Sequence, residues 1–161
     1  MIRLFGAGIL VLCAWICGFA AAKTEGEKLR AADALCGFVK RLERGISSAR
    51  TPLKELFARE SDEYLERAGF LPVLRSGGVT GELWESALAK LPLGEEIYPQ
   101  ARAFGRELGT LGLSDQCAAA KAFCLALEEE REKLAKSLPL KQKSLRAAFL
   151  LFGLFAAIIL I

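Results

Sequence analysis

The sequence predicts an all-α protein, a helical bundle flanked by two transmembrane helices. Three observations predict it. An uncharged apolar run lies at each end of the chain, helix start and stop signals recur through the charged residues between them, and no stretch keeps the two-residue alternation that a half-buried strand needs. The chain therefore divides into a transmembrane helix at 1–22, a helical-bundle domain at 23–146 and a second transmembrane helix at 147–161. The middle part is large enough for one hydrophobic core.

The first apolar run, residues 4–22, carries no charge over nineteen positions. At a rise of ~1.5 Å per residue it nearly matches a hydrocarbon core of roughly 30 Å. The second, 147–161, has fifteen, fewer than the usual ~17 to 25, but a snorkelling Arg146 lets Leu145 join the apolar stretch. A cleaved secretory signal is the alternative for the first run, with Ala20-Ala21-Ala22 as the cleavage site and Arg3 as the basic start; the protein would then be an exported, tail-anchored helical binding protein. Retention is favoured because the run exceeds the ~7 to 15 residues of a signal core, and because Lys23 and Arg30 follow it as flanking cations. Lys23, Lys28 and Arg30 after the first run, and Lys141, Lys143 and Arg146 before the second, outweigh Arg3 and orient the middle domain toward the cytosol.

The helices follow in order. Thr24-Glu25-Gly26-Glu27 has the spacing of a capping box and predicts a helix starting just outside the membrane, with Ala32, Leu35, Phe38, Val39, Leu42 and Ile46 as its apolar stripe. Thr51-Pro52 predicts a cap with proline at the first helical position, after which Leu53, Leu56 and Phe57 face inward. Ser61 or Asp62 caps a short helix that Gly69 ends in a left-handed turn. Residues 70–74, broken by Pro72, are too short to classify, and Ser76-Gly77-Gly78 reads as a linker. Thr80 caps a helix holding Leu83, Trp84, Ala87, Leu88 and Leu91, closed by Pro92. Another runs from about Pro99 through Phe104 and Leu108 to Leu111, with Gly112 as its stop. Ser114 then caps a last long helix, with Asp115 at its positive end and Leu113, Cys117, Ala120, Cys124, Leu127, Leu134 and Leu138 as its stripe; Pro139 ends it. Antiparallel packing of the first and last long helices would bring the two spans together.

Composition excludes several chemistries. The chain has no histidine, and its five cysteines include no Cys-x-x-Cys pair, so zinc and redox sites lack ligands. The odd thiol count suits buried cysteines in a reducing compartment. A net charge of +3, evenly mixed, does not point to nucleic acid. No phosphate loop follows the glycines, and no imidazole base or nucleophile constellation is present. The carboxylates Glu128, Glu129, Glu130 and Glu132 read as a solvated helix face; a membrane enzyme working through carboxylates alone is the weakest alternative.

Several stretches together resemble a known family. They are Met1-Ile2-Arg3-Leu4 before the apolar run, residues 30–46 leading into Thr51-Pro52-Leu53, Trp84 after a glycine-rich turn, and the apolar tail with Gly153. The most specific is Phe104-Gly105-Arg106-Glu107-Leu108-Gly109-Thr110-Leu111-Gly112-Leu113-Ser114-Asp115, similar to a helix ending in Leu-Gly-x-Ser-Asp before a long acidic helix. In this order they resemble the stage III sporulation protein AB family of endospore-forming bacteria over nearly the whole chain.

The resemblance implies a non-enzymatic membrane component of the secretion-like channel between mother cell and forespore. It would sit in the mother-cell (outer forespore) membrane with its helical domain in the cytosol. That domain is similar in the family to the cytoplasmic domains of type II secretion and type IV pilus platform proteins. This implies the operon-encoded AA ATPase and other channel-complex membrane proteins as partners, no cofactor, and an open question of homo-oligomerisation. Contact with the ATPase is expected at the membrane-distal turns, through Arg50, Lys54, Arg59, Arg75, Glu82 and Glu85. Pro52, Trp84, Phe104, Gly112, Ser114 and Asp115 are expected to be structural, the aromatics as core and the rest as starts, stops and caps.

Overall fold

The computed structural model describes residues 2–49, 52–77 and 80–160, without the side chains at 2–8, 10, 48, 49, 80, 157, 159 and 160. Arg50, Thr51 and Gly78, together with the side chain of the expected cap Thr80, lie outside the described residues. Every regular element described is a helix: α1 Ile2–Ala49, α2 Leu53–Arg59, α3 Glu63–Arg67, α4 Phe70–Arg75, α5 Thr80–Leu88, α6 Tyr98–Glu107 and α7 Leu113–Leu160. The all-α expectation holds among the described residues. Two compact units form, one from Met1–Glu27 with Leu134–Ile161 and one from Lys28–Lys133.

In the Lys28–Lys133 unit, α1 buries the stripe read from its sequence, with Ala32, Leu35, Phe38, Val39, Leu42 and Ile46 all nearly inaccessible. Three ion pairs, Asp33 with Arg131 at 2.9 Å, Lys40 with Glu128 at 2.5 Å and Glu43 with Lys121 at 3.9 Å, fix α7 antiparallel to α1, since the α7 partner moves back as the α1 partner moves on. Exposed pairs of this kind contribute little each; the stability comes from what lies between the helices. An aromatic chain runs Phe57, Phe38, Phe70, Trp84, Phe104, Phe123, with successive ring centroids 6.2, 5.5, 5.5, 5.3 and 4.9 Å apart. It joins α2, α1, α4, α5, α6 and α7, and each pair adds about 0.5–1.5 kcal/mol to ordinary burial. Trp84 and Phe104 are core residues, as expected.

Local signals decide the short helices. Asp62 caps α3, its carboxylate accepting from the backbone N–H of Tyr64 and Leu65 at 3.1 Å each. Gly69 takes the left-handed conformation, φ 83, and residues 70–74, left unclassified above, belong to α4. Pro52 does not occupy the first helical turn; it is extended at the N-cap, and its carbonyl accepts from Glu55 and Leu56. The stop after α6 is Gly109, φ 83, rather than Gly112. Gly112 instead starts α7, its carbonyl accepting from Gln116 N–H at 2.9 Å. Ser114 consequently lies inside the first turn and is no cap, whereas Asp115 keeps its place near the positive helix end.

In the other unit, the two sequence signals for a break both fail. Thr24 caps nothing: α1 passes through it and its hydroxyl donates to the Ala20 carbonyl at 3.1 Å, the back-bond a mid-helix threonine makes. Pro139 lies inside α7. One missing N–H costs less than two fresh helix ends, each with four unpaired groups, and the flanking residues are held: Lys141 pairs with Glu25 at 3.7 Å and Gln142 Nε2 donates to the Ala22 carbonyl at 3.1 Å. Further along, Gly18 approaches Phe149 so closely that an added Cβ would lie 2.9 Å from the Phe149 Cβ. The expected antiparallel pairing of the chain's two ends is thus present. Outside the pair, Ile9, Leu12, Trp15, Ile16 and Phe19 on α1 and Leu151, Phe152, Phe155 and Ile158 on α7 are exposed. Among the described residues no helix is long and apolar enough to cross a membrane; part of each terminal apolar run, including the side chains at 4–8, falls outside them.

Candidate functional site

The expected contact residues separate into three environments. Arg50 lies outside the described residues. Lys54 and Arg59 are exposed on α2, Arg59 beside Glu55 at 3.7 Å. Arg75, at the end of α4, is a clamp: its Nε donates to the Phe57 carbonyl at 3.1 Å, and its terminal nitrogens reach the Glu60 carbonyl and the Glu66 carboxylate. One guanidinium thereby closes the α2–α3 connection onto α4, a three-acceptor task suited to the planar fork of arginine. Glu60 is also gripped by Arg41 at 2.7 Å.

Glu82 and Glu85 face a cleft of about 360 Å³ that they line with Gly81, Arg106, Leu108, Gly109 and Thr110. Its floor is closely packed for a local reason. Trp84 fills the α5–α6 contact, its Nε1 donating to the Ala101 carbonyl at 2.8 Å, and Gly105 leaves room for the indole, since a methyl there would overlap the Trp84 ring. Gly81 faces the same contact without being required for it, a Cβ there lying at an ordinary 3.5 Å from the Gly105 carbonyl oxygen. At the rim Gly109 makes its left-handed turn and Thr110 Oγ1 donates to the Glu107 carbonyl at 2.9 Å. Glu85 is paired with Arg102. The cleft thus presents the carboxylates of Glu82 and Glu85 and the single guanidinium of Arg106.

Arg106, Gly109 and Thr110 were not picked out by motif reasoning, although all three lie in the 104–115 run that carries the most specific pattern. The acidic run on α7 is also more than a solvated face. Glu128 pairs with Lys40, which holds its carboxyl below the ordinary range, and the lysine is correspondingly raised. Glu130 is only 8% exposed, with Oε1 against Gly94, where a Cβ would lie 2.7 Å from it. No sequence signal separates Glu130 from its neighbours; only the loop that folds over it does. Cys36 and Cys124 are buried on α1 and α7, and burial raises both thiols, Cys124 to about 11. Among the described residues all five cysteines are free, and no group of three or more acidic or thiol side chains is placed to hold a metal ion.

No curated protein matches the chain, and no solved structure does. A family model does, over residues 3–161: that of stage III sporulation protein AB. The match takes in both terminal apolar runs and the helices that form the cleft, and the chain therefore belongs to the stage III sporulation protein AB family, with its role in sporulation.

Proposed function

We propose that this protein is a non-enzymatic membrane scaffold of the channel between mother cell and forespore, anchored by its two apolar ends in the mother-cell membrane. Its helical unit docks the operon-encoded AA ATPase in the cytosol. The observation that carries this reading is the antiparallel pairing of the ends through Gly18 and Phe149, with large apolar side chains left on the outside. In water that surface is costly, at about 25 cal/mol per Å²; in lipid the cost vanishes, and the apolar run at 4–22 supplies the length. Two anchors restrict both the distance and the orientation of a docked motor. The cleft beside Glu82 and Glu85 and the exposed α2 face with Lys54 and Arg59 are the docking surfaces, by virtue of unburied charge.

The test is site-specific photocrosslinking in sporulating cells, with the reactive residue placed at Lys54, Arg59 or Glu82 of the full chain. Crosslinks to the AA ATPase are expected from at least one position. Absence from all three, with crosslinker incorporation verified, would remove the docking claim. Mass spectrometry of the membrane-extracted protein checks the anchors, because loss of 1–22 would instead make it an exported, tail-anchored protein.

A further inference from the structure

We propose that Lys23, Lys143 and Arg146 form a binding collar for the phosphate of an anionic phospholipid; the inference rests on the membrane reading above and adds a specific lipid partner to it. The register of the helix pair sets the collar. Gly18 lies against Arg146 and Phe149, Ala22 against Gln142, and Glu25 against Lys141, so Lys23 and Lys143 come within about one helical turn of each other along the pair. Lys141 is neutralised by Glu25. Lys23 and Lys143 are exposed and have no acidic partner among the described residues.

Arg146 is held differently. Its guanidinium carbon sits 5.2 Å from the centroid of the Phe19 ring, a cation–π contact that holds the charge over the ring and uses none of its N–H donors. Three unpaired cations therefore share the level at which the exposed apolar side chains begin, with Phe19 on α1 and Leu150 and Leu151 on α7. A phospholipid matches both halves of this surface. Its phosphate takes charge-assisted hydrogen bonds from the fork and the two ammonium groups, and its acyl chains lie on the apolar faces. An acidic protein or free phosphate would match only the charged half.

Each cation near an anionic surface is worth about 5-fold in binding, so losing all three should weaken it on the order of 100-fold. The experiment uses the full chain in mild non-ionic detergent, titrated with fluorescent phosphatidylglycerol or phosphatidylcholine in mixed micelles. Preferential binding of phosphatidylglycerol is expected, lost in the triple variant Lys23→Gln, Lys143→Gln, Arg146→Gln and kept in a control with Arg44→Gln, Arg67→Gln and Lys90→Gln. Should the triple variant misfold, the single Lys23→Gln and Lys143→Gln variants must each show the 5-fold loss. Equal binding of the two lipids, or displacement of phosphatidylglycerol by equimolar inorganic phosphate, overturns the collar. Vesicle flotation of the wild type separates the failures: a protein that floats with neutral and anionic vesicles alike keeps its membrane anchors and loses only the collar, whereas one that floats with neither loses the membrane reading itself.

Discussion

Gly105→Ala is the most demanding perturbation of this fold, because helix propensity and packing oppose each other there. Gly105 is in the last turn of α6 with no unusual φ, so alanine should gain at most about 1 kcal/mol in a helix. The added methyl, however, would overlap the indole of Trp84. Overpacking a tight core costs about 1–3 kcal/mol. Pushing the indole off the Ala101 carbonyl, 2.8 Å away, leaves a buried N–H unpaired for another ~1–3 kcal/mol. The net is a loss of about 1–5 kcal/mol, even though glycine is replaced by the best helix former. Urea unfolding of the full chain in detergent, followed by circular dichroism, measures it. A smaller ring relieves the overlap, so Gly105→Ala combined with Trp84→Phe should lose at least ~1 kcal/mol less than the two single losses added together. An alanine variant as stable as the wild type would refute the packing argument outright.

Three further outcomes follow from the structure. Asp62→Ala should cost about 0.5–2 kcal/mol by removing the α3 cap, while Ser114→Ala should stay within about 0.5 kcal/mol of the wild type; paired thermal melts compare them. Arg75→Ala should destabilise by about 1–3 kcal/mol, and Arg75→Lys should fail to restore it, since one ammonium cannot satisfy the acceptors at Phe57, Glu60 and Glu66. Burial raises Cys124 from an ordinary 9.0 to about 11, so the folded state keeps a proton that the unfolded chain releases. The stabilisation from this group is full below pH 9 and disappears as pH climbs toward 11. Cys124→Ala should therefore flatten the alkaline fall in melting temperature over that window, and an unchanged fall would assign it to other groups.

Much of the fold was legible because burial writes itself into periodicity. The α1 stripe from Ala32 to Ile46, the left-handed turn at Gly69 and the core roles of Trp84 and Phe104 all follow from residue spacing or from a conformation that only glycine adopts at low cost. Breaks in the long helices were misread for an equally physical reason. A cap such as Thr24 is worth about 1 kcal/mol, and tertiary contacts between α1 and α7 near Ala22, Glu25 and Gln142 outweigh a local preference of that size. Pro139 follows the same rule. The cleft was only half visible: Glu82 and Glu85 were named for their charge, but Arg106, Gly109 and Thr110 join them through the close α5–α6 approach that Gly105 permits. Arg75 looked like surface charge because the carbonyls it binds, at Phe57 and Glu60, leave no trace in side-chain identity.

The placement of the two tryptophans gives the molecule a pair of built-in optical probes. Trp15 is 59% exposed among the apolar side chains of one unit and Trp84 is fully enclosed in the other. Brominated acyl chains should dim the emission of Trp15 and leave that of Trp84 untouched, so a single fluorescence spectrum, read with and without Trp15→Phe, reports lipid contact and core integrity independently.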